Sequence, residues 1–272
     1  MDRRTARLLN GALALCCLVL VLAAVYPVTT AESHSTQPVD ERFTVPEVDD
    51  YRATGAIVAD GETALKFEGA VTADGGRYLF IDEGAVRTEQ FQASPGAPVY
   101  SRLVVEDVGS TDRRREQIQR DTDRKLIRES RTEGDVTFII KENASDLRTD
   151  VSGAASVVVR SLYVVGYQRD IDPSQEATVY KPENGWYEGR EPYHITGVTG
   201  QVRTVSDTTG VRSAEVRWDQ TGSAGTYAEL ALVRLTGDAP TTYDISVEFK
   251  SGEPTVRRPA WVTAVKAGSE DR

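Results

Sequence analysis

The sequence predicts a mainly β protein in which a single curved antiparallel sheet forms a half-barrel around one apolar helix. The main observation is the alternation of apolar and polar residues along much of the chain, as at Tyr243, Ile245, Val247 and Phe249. This period of two places one face of a strand on a core and the other in water, which antiparallel sheets allow. A second observation is residues 154–165, where the apolar residues follow a helical spacing instead.

The expected strands follow one another through the body of the chain. Segments rich in Gly, Asp and Thr, such as 73–76, 132–135 and 207–210, separate the alternating runs and favour hairpin turns. Strands are therefore predicted at 53–58, 65–72, 77–82, 99–106, 112–120, 124–131, 136–142, 177–181, 194–205, 214–219, 227–235 and 243–250.

Residues 154–165 (AASVVVRSLYVV) are the predicted helix. Asp150 or Ser152 can cap its start, and Gly166 marks its end. The Val-rich composition is also typical of a buried strand, because β-branched residues favour sheets. The length of the run favours the helix, which would then pack against the concave face of the sheet.

Residues 1–31 have the pattern of an export segment. Arg3, Arg4 and Arg7 precede an uncharged apolar run, and small residues follow it just before Glu32. The run is close to the lower limit of about 17–25 residues that a spanning helix needs, so a cleaved signal peptide and a retained membrane anchor both fit. In either case the basic start stays inside and the rest of the chain is sent outside.

The remainder of the chain is predicted to hold one folded domain. Residues 32–50 are polar, include Pro38 and Pro46, and are interpreted as a linker that lifts the domain off the membrane. Residues 51–266 contain no internal repeat and no low-complexity break, so they are assigned to one antiparallel β domain. The last residues, 267–272, are predicted to be a polar tail.

The composition excludes several classes of protein. The formal net charge is −10, and an acidic surface repels phosphates, so no nucleic-acid partner is expected. Of the 32 basic residues only six are lysine. This acidic, arginine-rich balance is typical of proteins that work in concentrated salt, and the alternative is an ordinary acidic protein from a GC-rich genome, where arginine codons are favoured. Both cysteines, Cys16 and Cys17, lie in the apolar run, which excludes a disulfide scaffold, a cysteine zinc site and a cysteine nucleophile.

Six short motifs carry a family resemblance. They are VYKPENGWY at 179–187, YHIT at 193–196, GQV at 200–202, SAEV at 213–216, TYAE at 226–229 and PAWV at 259–262. Together they resemble uncharacterised exported proteins of halophilic archaea, which look like distant relatives of the outer-membrane lipoprotein carrier fold. The resemblance covers roughly residues 60–262 and contains no catalytic motif. It implies a half-barrel that holds a helix and carries lipids or lipoproteins, although the lipobox of the lipoprotein members is missing here.

A candidate site for an apolar ligand lies between the predicted helix and the sheet. An apolar stripe on the helix would form one wall of the pocket. The densest aromatic cluster of the chain would line its mouth, because aromatic rings with polar tips suit a surface that is partly exposed to water. The candidate residues are Val157, Val158, Leu162, Trp186, Tyr187 and Tyr193. The alternative is that these side chains fill the core and that no ligand fits.

Other functional motifs are few. Asn143, with Ala144 and Ser145, forms a glycosylation sequon in a domain expected to be exported. His194 has no recognisable nucleophile beside it, and no phosphate loop, HExxH or GxSxG motif occurs, so no catalytic residue, metal or cofactor is predicted. The sequence therefore predicts a non-enzymatic protein of the cell envelope, membrane-tethered or secreted. It either binds a lipid or other apolar ligand, or acts as a structural and interaction module.

Overall fold

One antiparallel sheet of thirteen strands dominates the computed structural model. The described residues are 43–106, 109, 111–132, 134–143, 151–170, 177–188, 192–205, 208–237, 239–252 and 254–270. The predicted export segment, 1–31, and most of the predicted linker lie outside them. Among the helices of the described residues, none is both long and apolar enough to cross a membrane.

The strands occupy most of the chain between the N-terminal segment and the last helix. They are β1 Tyr51–Ala59, β2 Glu62–Val71, β3 Arg77–Asp82, β4 Val86–Gln92, β5 Val99–Val105, β6 Arg124–Arg131, β7 Val136–Glu142, β8 Gly166–Asp170, β9 Ala177–Glu183, β10 Gly185–Glu188, β11 Pro192–Val205, β12 Val211–Gln220 and β13 Thr241–Ser251. The helices are α1 Thr111–Arg120, α2 Val151–Ser161 with a 3-10 turn at Leu162–Val164, α3 Tyr227–Thr236 and α4 Ala260–Glu270.

The first and last strands meet in the middle of the sheet. The order is β6-β7-β5-β4-β3-β2-β1-β13-β12-β11-β9-β8, and β10 pairs separately with β11. The sheet does not close, so β6 and β8 are its edges. Edge strand β6 carries Arg124, Lys125, Arg128 and Arg131, and such charges disfavour pairing with a further strand.

Helix α2 packs on one face of the central strands β1, β2, β3 and β13. Ala53, Phe67, Leu79 and Val247 point from these strands into the same core cluster as Val158 of the helix. Residues 154–165 are therefore helical rather than a buried strand, although the helix begins three residues earlier and ends in the 3-10 turn. Burial of this apolar helix against apolar strand residues stabilises the central sheet.

Two further helices cover the β4–β7 part of the sheet, one on each face. Ile118 of α1 packs with Ile140 of β7, whereas Val262 of α4 packs with the neighbouring Ile139. Successive strand residues point to opposite faces, so α1 lies on the same side of the sheet as α2 and α4 lies on the other. The prediction of a single helix in the domain is therefore wrong.

Two predicted strands are helices. Residues 112–120 lie in α1, where Thr111 and Ile118 are buried and most of the charged residues between them are exposed. Residues 227–235 lie in α3, where a capping box between Thr226 and Glu229 fixes the start of the helix. The remaining ten predicted strands are confirmed to within a few residues, and β4, β8 and β10 were not predicted.

The ends of the domain differ from the predicted boundaries. Phe43 is 2% exposed and joins the main core, and the Thr44 backbone bridges to Gly210, so folded structure begins inside the predicted linker 32–50. At the other end, α4 runs to Glu270 and includes much of the predicted polar tail 267–272. The antiparallel unit is thus longer than the predicted range 51–266.

Candidate functional site: the filled core and the uncovered sheet face

The helical part of the predicted ligand site is core. Val158 and Leu162 have no exposed surface, whereas Val157 is 52% exposed and lies on the opposite side of α2. The stripe that faces the sheet runs through Val151, Ala155, Val158 and Leu162, at spacings of three and four residues. Val157 therefore does not belong to an apolar wall with the other two.

The aromatic part of the predicted site is divided between two faces of the sheet. The rings of Tyr187 and Tyr193 stack with centroids 6.3 Å apart and pack against the α2 core. Trp186 lies 4.6 Å from the ring of His194 and packs instead with Leu230 of α3. The six predicted residues consequently do not line a single pocket.

Helix α2 sits on the sheet without a gap at its first turn. A Cβ atom placed on Gly69 of β2 would lie 2.9 Å from Cγ2 of Val151 and closer still to Cγ1. Only a glycine leaves enough room for this helix to approach so closely. The contact leaves no space for an acyl chain between β2 and the start of α2.

The opposite end of α2 is closed by a residue from the N-terminal segment. The Phe43 ring makes edge contacts with Tyr167 and Tyr180, at centroid distances of 5.0 and 5.2 Å, and the Tyr163 hydroxyl donates to the Phe43 carbonyl. The Tyr167 hydroxyl donates to the Leu162 carbonyl at 3.0 Å, and its burial raises its pKa. These aromatic residues were absent from the predicted site, and a lone Phe in a polar segment was the only sequence signal for them.

The face of the central strands opposite α2 carries polar side chains and an open groove of about 500 Å³. Small side chains form its middle, and longer charged ones stand around them. The polar residues of the groove are Thr54, Lys66, Glu68, Gln201, Arg203, Ser213, Glu215, Ser246 and Glu248, with Ala56 between them. This groove crosses β2, β1, β13, β12 and β11.

Ion pairs occupy part of this uncovered face. Arg52 pairs with Glu68, and the Lys250 amine lies 2.9 Å from a Glu248 carboxylate oxygen. All four side chains are at least 41% exposed, so such pairs add little stability and leave the face open to other charged partners. Nearby, burial and the carboxylates of Glu89 and Glu68 raise the pKa of Tyr78 to about 12.

Three charged residues of the groove are directed to solvent. Lys66, Arg203 and Glu215 are exposed, and among the described residues none of the three forms an ion pair. Groups of both signs therefore project from one polar groove. Such a surface suits polar, charged recognition more than it suits an apolar ligand.

The positions of His194 and Asn143 complete the description of the predicted functional residues. Among the described residues, no cluster of three His, Cys, Asp or Glu side chains is placed to hold a metal. His194 is 9% exposed, and its Nδ1 lies 3.3 Å from Nη2 of Arg234, which is a packing position under α3. Asn143 is exposed at the end of β7, while the rest of its sequon lies outside the described residues.

Comparisons with family models, curated proteins and solved structures found no match to this chain. The resemblance to the halophilic exported proteins therefore stays a prediction from the sequence motifs.

Proposed function

We propose that this chain is an exported, non-enzymatic protein of the cell envelope whose domain works as an interaction module with a filled core. The observation that carries the proposal is the direct contact of Val151 with the backbone of Gly69. Val158 and Leu162 are also completely buried. Both observations support a core in which α2 itself fills the space that a ligand would occupy in a carrier.

The placement in the envelope rests on the N-terminal sequence. Arg3, Arg4 and Arg7 before an apolar run support export, with residues 1–31 acting as a signal peptide or as a membrane anchor. Removal of 1–31 takes away three arginines and one aspartate, which lowers the net charge from −10 to −12. The strongly acidic, lysine-poor domain is then suited to a salt-rich exterior.

The proposed recognition surface is the uncovered face of the central strands. The sheet curls around α2 in this proposal, so the face that carries Lys66, Arg203 and Glu215 is free to meet a partner. Interfaces of this polar kind gain specificity from the matching of charges. The partner would be a polar macromolecule of the envelope rather than a nucleic acid.

The competing function is that of a carrier for a lipid or another apolar ligand, as the half-barrel resemblance implies. A carrier needs an apolar cavity of about 300–1,000 Å³. At the start of α2, the close contact between Val151 and Gly69 leaves no room for such a cavity. At the other end of α2, the Phe43 ring packs against Tyr167 and Tyr180 and fills the space.

Native mass spectrometry of the protein purified from its host without detergent tests the proposal. A filled core predicts the bare mass of the chain, apart from any glycan. A stoichiometric adduct of lipid mass that is lost on denaturation would establish the carrier instead. Recovery of the protein from the cytosol would contradict the proposed location.

A further inference from the structure

Helix α3 is mostly exposed although it is rich in apolar residues. It connects β12 to β13 and packs on the rest of the domain through Leu230 and Tyr227, which contact Trp186 and Ala224. All ten residues of α3 are described, and Leu230 alone is buried among them. The helix therefore presents most of its surface to the outside.

The outer side of α3 is an apolar stripe. Ala228, Ala231, Leu232 and Leu235 recur at intervals of three, one and three residues, which places them on one face of a helix. Leu232 is 59% exposed and Leu235 is 84% exposed, the two highest values for large hydrophobic residues in the described part of the chain. A continuous stripe of this kind differs from scattered apolar surface residues and marks a contact site.

The start of α3 is fixed independently of any partner. The Thr226 side chain accepts from the Glu229 backbone amide at 3.3 Å, and the Glu229 carboxylate accepts from Gly225 and Thr226. A ten-residue helix is marginal in water when isolated, so this capping box holds the exposed stripe in a helical form. The stripe is thereby preorganised for docking.

We propose that the α3 stripe binds the α3 stripe of a second copy of this chain, with the two helices antiparallel. A twofold axis between Ala231 and Leu232 places Leu235 of each copy over Ala228 of the other. It also places Leu232 of each copy over Ala231 of the other, so that the two Leu232 side chains lie next to each other on either side of the axis. Large residues thus meet small ones, and the same patch serves on both copies, as a twofold interface requires.

The electrostatics of α3 favour a second copy at this site. An acidic chain repels copies of itself, but the one carboxylate on α3, Glu229, already accepts two backbone N–H groups at the positive end of the helix. Arg234 supplies a compensating positive charge near the other end. The stripe is a place where two copies can meet without bringing unneutralised carboxylates together.

The position of α3 disfavours a lipid surface as the occupant. The N-terminal segment enters the domain where Thr44 meets Gly210, just before β12 begins, whereas α3 follows the end of that ten-residue strand. The two ends of β12 are about 30 Å apart. In a chain anchored by its N-terminal segment, the stripe therefore lies away from the membrane side.

The contact is small, so the pair is weak in dilute solution. One helix stripe buries much less than the about 800 Å² per partner of a standard interface. Tethering of the copies on one membrane would raise their effective concentration and strengthen pairing. This inference goes beyond the proposed function, because pairing through α3 would hold even if the core contained a lipid.

Disulfide trapping in the full chain tests the pairing. In a background with Cys16→Ser and Cys17→Ser, Leu232→Cys places one thiol next to the proposed twofold axis. We expect a mild oxidant to convert most of this variant to a disulfide-linked dimer. Val157→Cys, at a comparably exposed position on α2, is the matched control and should remain mainly monomeric. Adding Leu235→Glu to the Leu232→Cys variant should lower the dimer yield at least fivefold.

Two outcomes would overturn the proposal. One is equal trapping at Leu232 and Val157, and the other is a dimer yield that Leu235→Glu leaves unchanged. Sedimentation velocity of the cysteine-free chain provides a second readout, with a concentration-dependent dimer expected and its loss on Leu232→Glu. A chain that stays monomeric at all concentrations but binds lipid vesicles through Leu232 would also contradict pairing. Circular dichroism before each measurement confirms that the variants are folded.

Discussion

Val151, the first residue of α2, occupies the space that a side chain on Gly69 of β2 would fill. This contact joins the helix to the middle of the sheet at its first turn. It explains why the strand carries a glycine among otherwise apolar inward positions, although glycine weakens strands. The relationship makes the packing of α2 sensitive to a single methyl group.

Gly69→Ala should destabilise the domain by about 1–3 kcal/mol, because the new methyl group overpacks a closed contact. Urea unfolding followed by circular dichroism measures the change in the free energy of unfolding. The double variant Gly69→Ala with Val151→Ala should lose less than the sum of the two single changes, because the smaller residue 151 makes room. Strict additivity would mean that the two residues do not touch.

Phe43→Ala should destabilise the domain by about 3–5 kcal/mol, the usual loss for a buried aromatic residue. The ring packs among Tyr163, Tyr167 and Tyr180, although it lies in a segment that the sequence predicts to be linker. Val48→Ala is the matched control, since Val48 is 39% exposed and should change stability by less than about 0.5 kcal/mol. Equal effects of the two substitutions would restore the linker interpretation.

Stability should fall on acidification partly through Glu129 of β6. The Arg115 guanidinium of α1 donates to both Glu129 oxygens, at 2.7 and 2.5 Å, and holds the pKa of Glu129 below its usual value. Because the folded pKa is the lower one, the stabilisation is complete above the unfolded value of about 4.3 and is lost as the pH falls through the folded value. The difference in unfolding free energy between wild type and Glu129→Gln should therefore shrink at low pH. A constant difference from pH 7 to pH 3 would contradict this role.

The melting temperature of residues 32–272 should rise from low to molar salt. The net charge of this part of the chain is −12 after loss of three arginines and one aspartate from the total of −10, and salt screens its self-repulsion. Differential scanning calorimetry at several concentrations of potassium chloride measures the effect. A flat or falling curve would remove the argument for a salt-rich environment.

Many of the strands that the sequence predicts correctly have one wet face. In β13, for example, Ile245 and Val247 are buried while Ser246 and Glu248 face water, so the alternation is plain in the sequence. Helix α1 was missed because its only buried hydrophobic residue is Ile118. Its contacts with the sheet include the pairing of Arg115 with Glu129 on the next strand, β6, rather than a repeated apolar period along the helix.

The predicted ligand site shows where sequence neighbours mislead. Trp186 and Tyr187 are adjacent, but the alternation of β10 directs them to opposite faces of the sheet. Once this segment is recognised as a strand, the two residues are not expected to line the same pocket. The burial of Phe43 in the core could not be predicted from its neighbours in the sequence. Its partners are more than a hundred residues away in sequence, and only the tertiary structure brings them together.

Melting of the full chain, freed of bound lipid, in the presence of long-chain fatty acids and phospholipids tests the filled core most directly. An interaction module with a filled core predicts a melting temperature that does not change with ligand concentration. A carrier would gain about 2.7 kcal/mol at a hundredfold excess of ligand over its Kd, which corresponds to a rise of about 5–11 °C in a domain of this size. A rise of that kind, growing with ligand concentration, would contradict the filled core.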